Sequence, residues 1–473
     1  ARDPAIPLSF ARAVESDERE AYPEEACRVL DRWGLPAWYV PAALGGRLER
    51  FDELALAMRL VARRDLTAAI AHGKTFIAAA AGWVGGSDAV RATLARRILA
   101  GEQVALAVHE EAHGSDVLAA DTTAIEADGR WRLDGSKWLV NNATRGTAAL
   151  VQARTGRPGD PRGATFFLLE KDRLAPGACV PLPRLSTHGV RGADFSGFEL
   201  RDARVDAAAV VGRPGEALDL MIRAFQLTRT LIPSLSLGAL DTALRIVLDF
   251  VLERRLYGAR AWDLPLVRHG LVDAFVDLTL VEVVATSAAR ALHLRPGQMR
   301  LRSAIAKFLA GHLTAASLAS LAGFLGARHY LRAGHGHGIF QKILRDHAVV
   351  PVFHAGSFLL LETIHLHLPD LARARRSGKP PEPAPPSSFD PSVDLPPLDE
   401  RALVVWAREG DEATAGLADL ESRLGPGTVD LVRWLAAQLD AEAAALPAAH
   451  APEGRDTRRP PQSVDRARRY ARH

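Results

Sequence analysis

The sequence predicts an α+β chain with four parts: an N-terminal helical domain, a central antiparallel β domain, a C-terminal four-helix bundle and a small helical appendage. Three observations carry this. Apolar residues recur three and four apart before residue 103 and again after residue 216. Between those regions lie strand-sized apolar runs punctuated by Gly, Pro and Asp. A Pro- and Ser-rich stretch then follows the last long helix. The boundaries fall at 1–103 (helical), 104–212 (β sheet), 213–373 (bundle), 374–397 (Pro-rich linker, expected extended and poorly ordered), 398–450 (appendage) and 451–473 (basic, mobile tail).

A chain of 473 residues is long enough for two or three domains. Its apolar (48%) and charged (24%) fractions are those of an ordinary globular protein. A net charge of +3, drawn partly from basic clusters in the last hundred residues, is too small to indicate nucleic acid. The two cysteines, Cys27 and Cys179, form no C-x-x-C, which argues against a disulfide framework or a zinc–thiolate site. With no apolar leader and no run of eighteen apolar residues, the expectation is a cytoplasmic enzyme without a membrane span.

In order, the first helices include one stopped by Gly34 and one with Phe51, Leu54, Met58 and Val61 on a single side. Strands are expected from residue 104, within 147–155, 164–171 and 192–205, with a hairpin turn at Asp134-Gly135. Four long helices follow: 216–254, interrupted at Pro233, then 266–292, 299–326 and 347–368. Their wide apolar faces leave room for a homodimer or homotetramer. His329, His335 and His337 sit in a Gly-rich stretch beside Arg residues and without a nearby carboxylate, so no metal site is expected there or elsewhere.

Residues 109–142 mark the join between the first helical region and the sheet, with a Gly114-Ser115-Asp116 turn and the segment Asp134-Gly135-Ser136-Lys137-Trp138-Leu139-Val140-Asn141-Asn142. Further on come Thr228-Arg229, then Arg254-Arg255-Leu256-Tyr257-Gly258, then Arg345-Asp346. Together, in this order and spacing, these motifs resemble those of the flavin-dependent acyl-CoA dehydrogenase family over roughly residues 17–368. The Lys137-Trp138 pair and the C-terminal addition also resemble the branch related to the alkylation-response protein AidB.

The resemblance implies bound FAD, an acyl thioester substrate on coenzyme A or an acyl carrier protein, and oxidation of the acyl group. It points to Val108, His109, Gly114, Ser115, Leu139 and Asn141 as cofactor contacts. It also points to Arg254 and Tyr257 as residues reaching the FAD of a neighbouring subunit, and to Thr228 and Arg229 near the substrate. The family's catalytic glutamate has no counterpart: its place on the last helix is taken by His354, and the alternative location by Thr228. His354 is therefore the candidate base, since an imidazole titrates near neutrality, and Glu362 lies too far along the helix to replace it. Leu139 stands where the family packs a Trp, with Trp138 one step away and expected on the opposite face. Arg328 and His329 occupy a segment that is Gly-rich in the family, where they would crowd a cofactor. Two alternatives share this fold: an oxygen-using oxidase or monooxygenase, and a catalytically inactive subunit or scaffold.

Overall fold

The computed structural model describes residues 3–376 and 385–407, together with 425, 429–431, 433–434, 437–438, 441, 465, 467–469 and 471. The N-terminal helices are α1 (Phe10–Glu18), α2 (Glu24–Trp33), α3 (Phe51–Ala62), α4 (Leu66–Gly85) and α5 (Asp88–Leu99). Gly34 ends α2 in the left-handed region at φ 86°, as a C-terminal glycine should. The side chains of Asp65 and Ser87 cap α4 and α5 by accepting from Thr67 N and Val90 N. Helix α4 is buried almost all round, which explains its Ala-rich, weakly amphipathic sequence.

The β domain comprises β1 (Val104–Ala107), β2 (Thr123–Ala127), β3 (Arg130–Asn141), β4 (Ala148–Arg154), β5 (Ala164–Glu170), β6 (Cys179–Leu182), β7 (Phe195–Asp206) and β8 (Val210–Val211). The sheet runs β6-β7-β3-β2-β4-β5-β8, with β1 added beside β4. Its pairs are antiparallel except β1 with β4 and a single-residue β2–β4 contact, which are parallel. One face packs as a local core around Trp131, Phe167 and Phe198, and the other joins the helical core.

The hairpin turn is not at Asp134-Gly135. It is Asp128-Gly129, whose φ values of 54° and 71° suit the tight connection between β2 and β3. Asp134-Gly135 lies inside β3 at a bulge, where the register against β7 shifts. Both dipeptides carry the turn chemistry, and the strand pairing decided between them. Gly135 is needed for a different reason: a Cβ there would stand 2.6 Å from Thr122 Cα. Gly135→Ala should therefore lower stability by about 1–3 kcal/mol, read as a lower denaturant midpoint at constant m value.

The C-terminal bundle contains α6 (Ala217–Leu231), α7 (Pro233–Glu253), α8 (Pro265–Leu294), α9 (Met299–Leu325), α10 (Ile339–His347) and α11 (Ser357–Arg376). A small ribbon, β9 (Arg255–Leu256) and β10 (Ala259–Arg260), turns the chain between α7 and α8. Only Ile232 separates α6 from α7, with Pro233 at the first position of the second helix, where its missing N–H is not needed. The stretch 296–330, which includes α9, is long and apolar enough to cross a membrane by composition, but half of that window is buried inside the bundle. The expected helix over 347–368 is broken: α10 ends at His347, an irregular turn follows, and α11 starts at Ser357. Pro351 falls in that turn, and the residue before a proline is driven from helical geometry.

The Pro-rich linker is described from residue 385 onward, where a short 3-10 turn at Pro386–Ser388 leads into chain that docks on the helices. Arg290 donates to the carbonyls of Ser387 and Val393, and His293 Nδ1 lies 2.8 Å from Pro396 O. Gln226 Nε2 donates to Val404 O at 2.6 Å, and Glu400 accepts from Arg91 at 2.6 Å. Buried donors on the helices thus fix carbonyls that no secondary structure uses. Most of the expected appendage and tail lies outside the described residues. Ala467 and Ala471 are described, and they are buried with Leu301, Phe308 and Leu360.

Candidate active site

A cavity of about 470 Å³ opens where the sheet meets the bundle, a size suited to a cofactor or small ligand. Val108 and His109 just after β1, Gly114 and Ser115 on the following loop, and Trp138, Leu139 and Asn141 on β3 form one wall. Lys74 and Ile77 of α4, Phe225 of α6, Arg345 of α10 and residues 352–355 of the turn before α11 form the other. The expected cofactor contacts on the β domain therefore come together, and His354 faces them.

The β wall is held by a buried ion pair. Lys137 Nζ stands 2.7 Å from Glu110 Oε1 and donates to Val108 O at 3.2 Å. Glu110 also accepts from the backbone N–H groups of Thr122 and Asp121 at 3.0 and 2.6 Å. Burial raises its pKa, but the Lys137 ammonium and these donors outweigh that and hold the carboxyl at about 2. The pair clamps the loop carrying His109 and Ser115 onto β3. Trp138 N, donating to His109 O at 3.0 Å, adds a second tie.

Trp138 and Leu139 both line the cavity, against the expectation that neighbours on a strand face opposite ways. The cause is a second bulge: the register shifts between Lys137 and Val140, and Leu139 sits at φ 54°. Asn141 is buried, yet neither its Nδ2 nor its Oδ1 has a partner. A buried amide facing a cavity without a protein partner is a polar edge waiting for a ligand.

His354 is held in a turn rather than on a helix. It and Ala355 have φ values of 54° and 81°, a strained pair for residues with a Cβ. Three successive carbonyls of this turn are gripped by two buried cations: Lys307 donates to Phe353 O and Ala355 O, and Arg229 to His354 O. The His354 ring packs edge-on against Phe225 and Phe353. Its Nε2 lies 3.2 Å from Lys74 Nζ, and its Nδ1 is buried without a partner. Burial first, and then the positive charges of Lys74 and Lys307, push its pKa well below the usual imidazole range. Burial likewise lowers the Lys74 ammonium to about 7 and Arg229 to about 9. Among the described residues lining the cavity there is no Asp or Glu.

The other expected site residues fall elsewhere. Thr228 is buried with its hydroxyl donating to Phe225 O, and Arg229 acts on the His354 turn without lining the cavity. Arg254 ends α7, and Tyr257 is 96% exposed on the β9–β10 turn; neither reaches the cavity within one chain. Arg328 does not crowd the cavity: it lies over the Phe250 ring, while His329 bonds to Gly326 O. His335 packs on Phe250. Among the described residues, the one group spaced like metal ligands is Glu110, His113 and Asp121, and Glu110 is already engaged by Lys137. Lys74 and Lys307 were missed in the sequence. Lys74 is the one Lys, Arg, Asp or Glu in the twenty residues of α4, and a lone charge in an otherwise buried helix was the available signal.

An N-terminal helical body, a sheet domain and a helical bundle in this order define the acyl-CoA dehydrogenase fold. A profile of the acyl-CoA dehydrogenase middle domain matches residues 105–203, and one of the C-terminal domain matches residues 216–357. The chain belongs to the acyl-CoA dehydrogenase family. The mitochondrial short-chain specific acyl-CoA dehydrogenase of Homo sapiens is 25% identical over 298 residues, covering 61% of this chain and 70% of that protein. Butyryl-CoA dehydrogenase from Megasphaera elsdenii superposes with a TM-score of 0.69 at 19% identity, over 74% of this chain and 91% of its own. The prolyl acyl carrier protein oxidase AnaB gives a TM-score of 0.69 at 20% identity, over 75% of this chain and 93% of its own. At these identities the two structures establish the fold.

Proposed function

We propose that this chain is a flavin-dependent oxidoreductase that oxidises an acyl thioester, and that it works without the usual glutamate. The observation that carries this is the meeting, in one cavity, of the β wall with its unpartnered Asn141 amide and the His354–Lys74 end of the bundle. FAD fits the residues present: apolar surfaces from Val108, Trp138 and Leu139 suit a flat ring, and Asn141 offers its edge a donor and an acceptor. Ser115, beside Gly114 at φ 54° with open space around its Cα, would meet the pyrophosphate. Bound flavin supplies the acceptor for the two electrons leaving the acyl group.

His354 is the residue placed to take the proton. Its low pKa keeps it neutral near pH 7, so one ring nitrogen holds the lone pair that a base requires. Phe225 and Phe353 fix the ring plane and exclude water. Arg254 and Tyr257 would serve the flavin of a second copy, because both stand at the surface. The outward apolar residues of α8, among them Leu266, Val272, Phe275 and Leu280, give a homodimer or homotetramer a face to bury. The substrate carrier is coenzyme A or an acyl carrier protein.

The same cations favour a second reading, in which oxygen is the electron acceptor, since uncompensated positive charge stabilises a reduced oxygen anion. The similarly folded AnaB is named as an oxidase. Anaerobic titration of the FAD-loaded protein with butyryl-CoA and with butyryl carrier protein tests the proposal. Bleaching by either thioester is the expected result. Bleaching only by reduced nicotinamide, with rapid recovery in air, moves the assignment to the oxygen-using reaction. Protein that takes up no FAD is the inactive subunit.

A further inference from the structure

Resting on the acyl-thioester reading, we propose that the acyl group this site accepts carries a free carboxylate, which binds Lys74 at the bundle end of the cavity. Four cationic or basic side chains converge there: Lys74, His354, Arg229 and Lys307. Among the described residues, none of them meets a carboxylate. The positive charges of Lys74, Lys307 and Arg229 act on His354, those of Arg229 and Lys74 on Lys307, and no acidic group among the described residues offsets them. Several other buried cations of the chain do have a carboxylate partner. Lys137 is paired with Glu110, Lys342 with Asp65 and Asp346, Arg290 with Asp52, and Arg91 with Glu400. A buried cation without a counter-charge is costly, and a cluster of them beside an open cavity is a place where the missing charge arrives with a ligand.

The division of labour among the four singles out Lys74. Lys307 and Arg229 spend their donors on the carbonyls of residues 353–355. Among the described residues, Lys74 has only the His354 ring nitrogen and the face of Phe353, 4.3 Å from the ring centroid. An ammonium has three N–H donors, so it keeps donors to offer, and it lines the cavity. The His354 ring stands beside it, with Nε2 at 3.2 Å and Nδ1 buried without a partner. One ammonium with a neighbouring imidazole suits a carboxylate, a single negative charge with two acceptor oxygens. Binding would also act on His354: a carboxylate on Lys74 offsets the repulsion that keeps the imidazole from accepting a proton. Only an acyl group bearing the charge would then raise the basicity of the base that attacks it.

The nucleotide phosphates of coenzyme A are the other source of negative charge, so the test uses pantetheine thioesters, which lack them. Calorimetric affinities of the holoprotein for 4-carboxybutanoyl-pantetheine and pentanoyl-pantetheine, equal in backbone length, give the answer. The expected result is at least about tenfold tighter binding of the carboxylated thioester, or about 1.4 kcal/mol. Lys74→Met should bring the ratio of the two affinities to near one and raise the melting temperature, because it removes an uncompensated cation. Lys74→Arg should keep the preference. Equal affinities in the wild-type protein, or a preference that survives Lys74→Met, overturn the carboxylate assignment while leaving the thioester reading intact. Binding of neither thioester overturns both.

Discussion

Glu110→Gln is expected to cost about 3–5 kcal/mol of folding stability, the usual penalty for leaving one member of a buried ion pair without its partner. Lys137 is fully buried, and its contacts besides Glu110 are to Val108 O. The effect should reach the cavity, because the lost clamp frees the loop carrying His109 and Ser115; cofactor affinity should fall together with the unfolding midpoint. The same pair sets an acid limit. The Glu110 carboxyl is held at about 2 against an ordinary 4.5, so its contribution is complete above pH 4.5 and is lost as the pH falls toward 2. Wild-type stability measured between those values should drop more steeply than that of the Gln variant, which has no carboxyl to protonate. Equal slopes would remove Glu110 from the account.

Removing the imidazole of His354 should slow anaerobic flavin reduction by about 10²–10⁴-fold, the range typical of a general base. Two variants separate chemistry from strain. His354→Ala leaves a Cβ at φ 54°, whereas glycine is at ease there, so His354→Gly should be at least as stable as wild type and just as slow. Reduction at the wild-type rate in the Gly variant would show that the proton leaves by another route. Lys307→Met should also slow reduction, since the carbonyls of Phe353 and Ala355 lose their shared donor and the turn is no longer held in its left-handed geometry.

Much of the fold was legible because it rests on periodicity. The buried stripes of α3 and α7, the strand-length runs at β4 and β5, and the helix stop at Gly34 are local properties of the chain. The β wall of the cavity was legible by resemblance, residue by residue from Val108 to Asn141. What could not be read was decided at a distance. Asp134-Gly135 and Asp128-Gly129 have the same composition, and only pairing with β7 makes one a bulge and the other a turn. The bulge at Leu139, which brings two neighbours to one face, leaves no mark in residue type. The turn holding His354 depends on Lys307 and Arg229, from helices 46 and 125 positions away in the chain. Lys74 announced itself only as a lone charge in α4, and its partner came from 280 residues on.

Equilibrium titration of the purified chain with FAD tests most directly whether the cavity between sheet and bundle is a flavin site. The expected result is saturation at one FAD per chain, with visible flavin absorbance, and a loss of that uptake in Leu139→Arg, which places a charged side chain at a half-exposed position in the cavity wall. A chain that stays colourless under FAD, or a Leu139→Arg variant that binds FAD as tightly as the wild type, would contradict it.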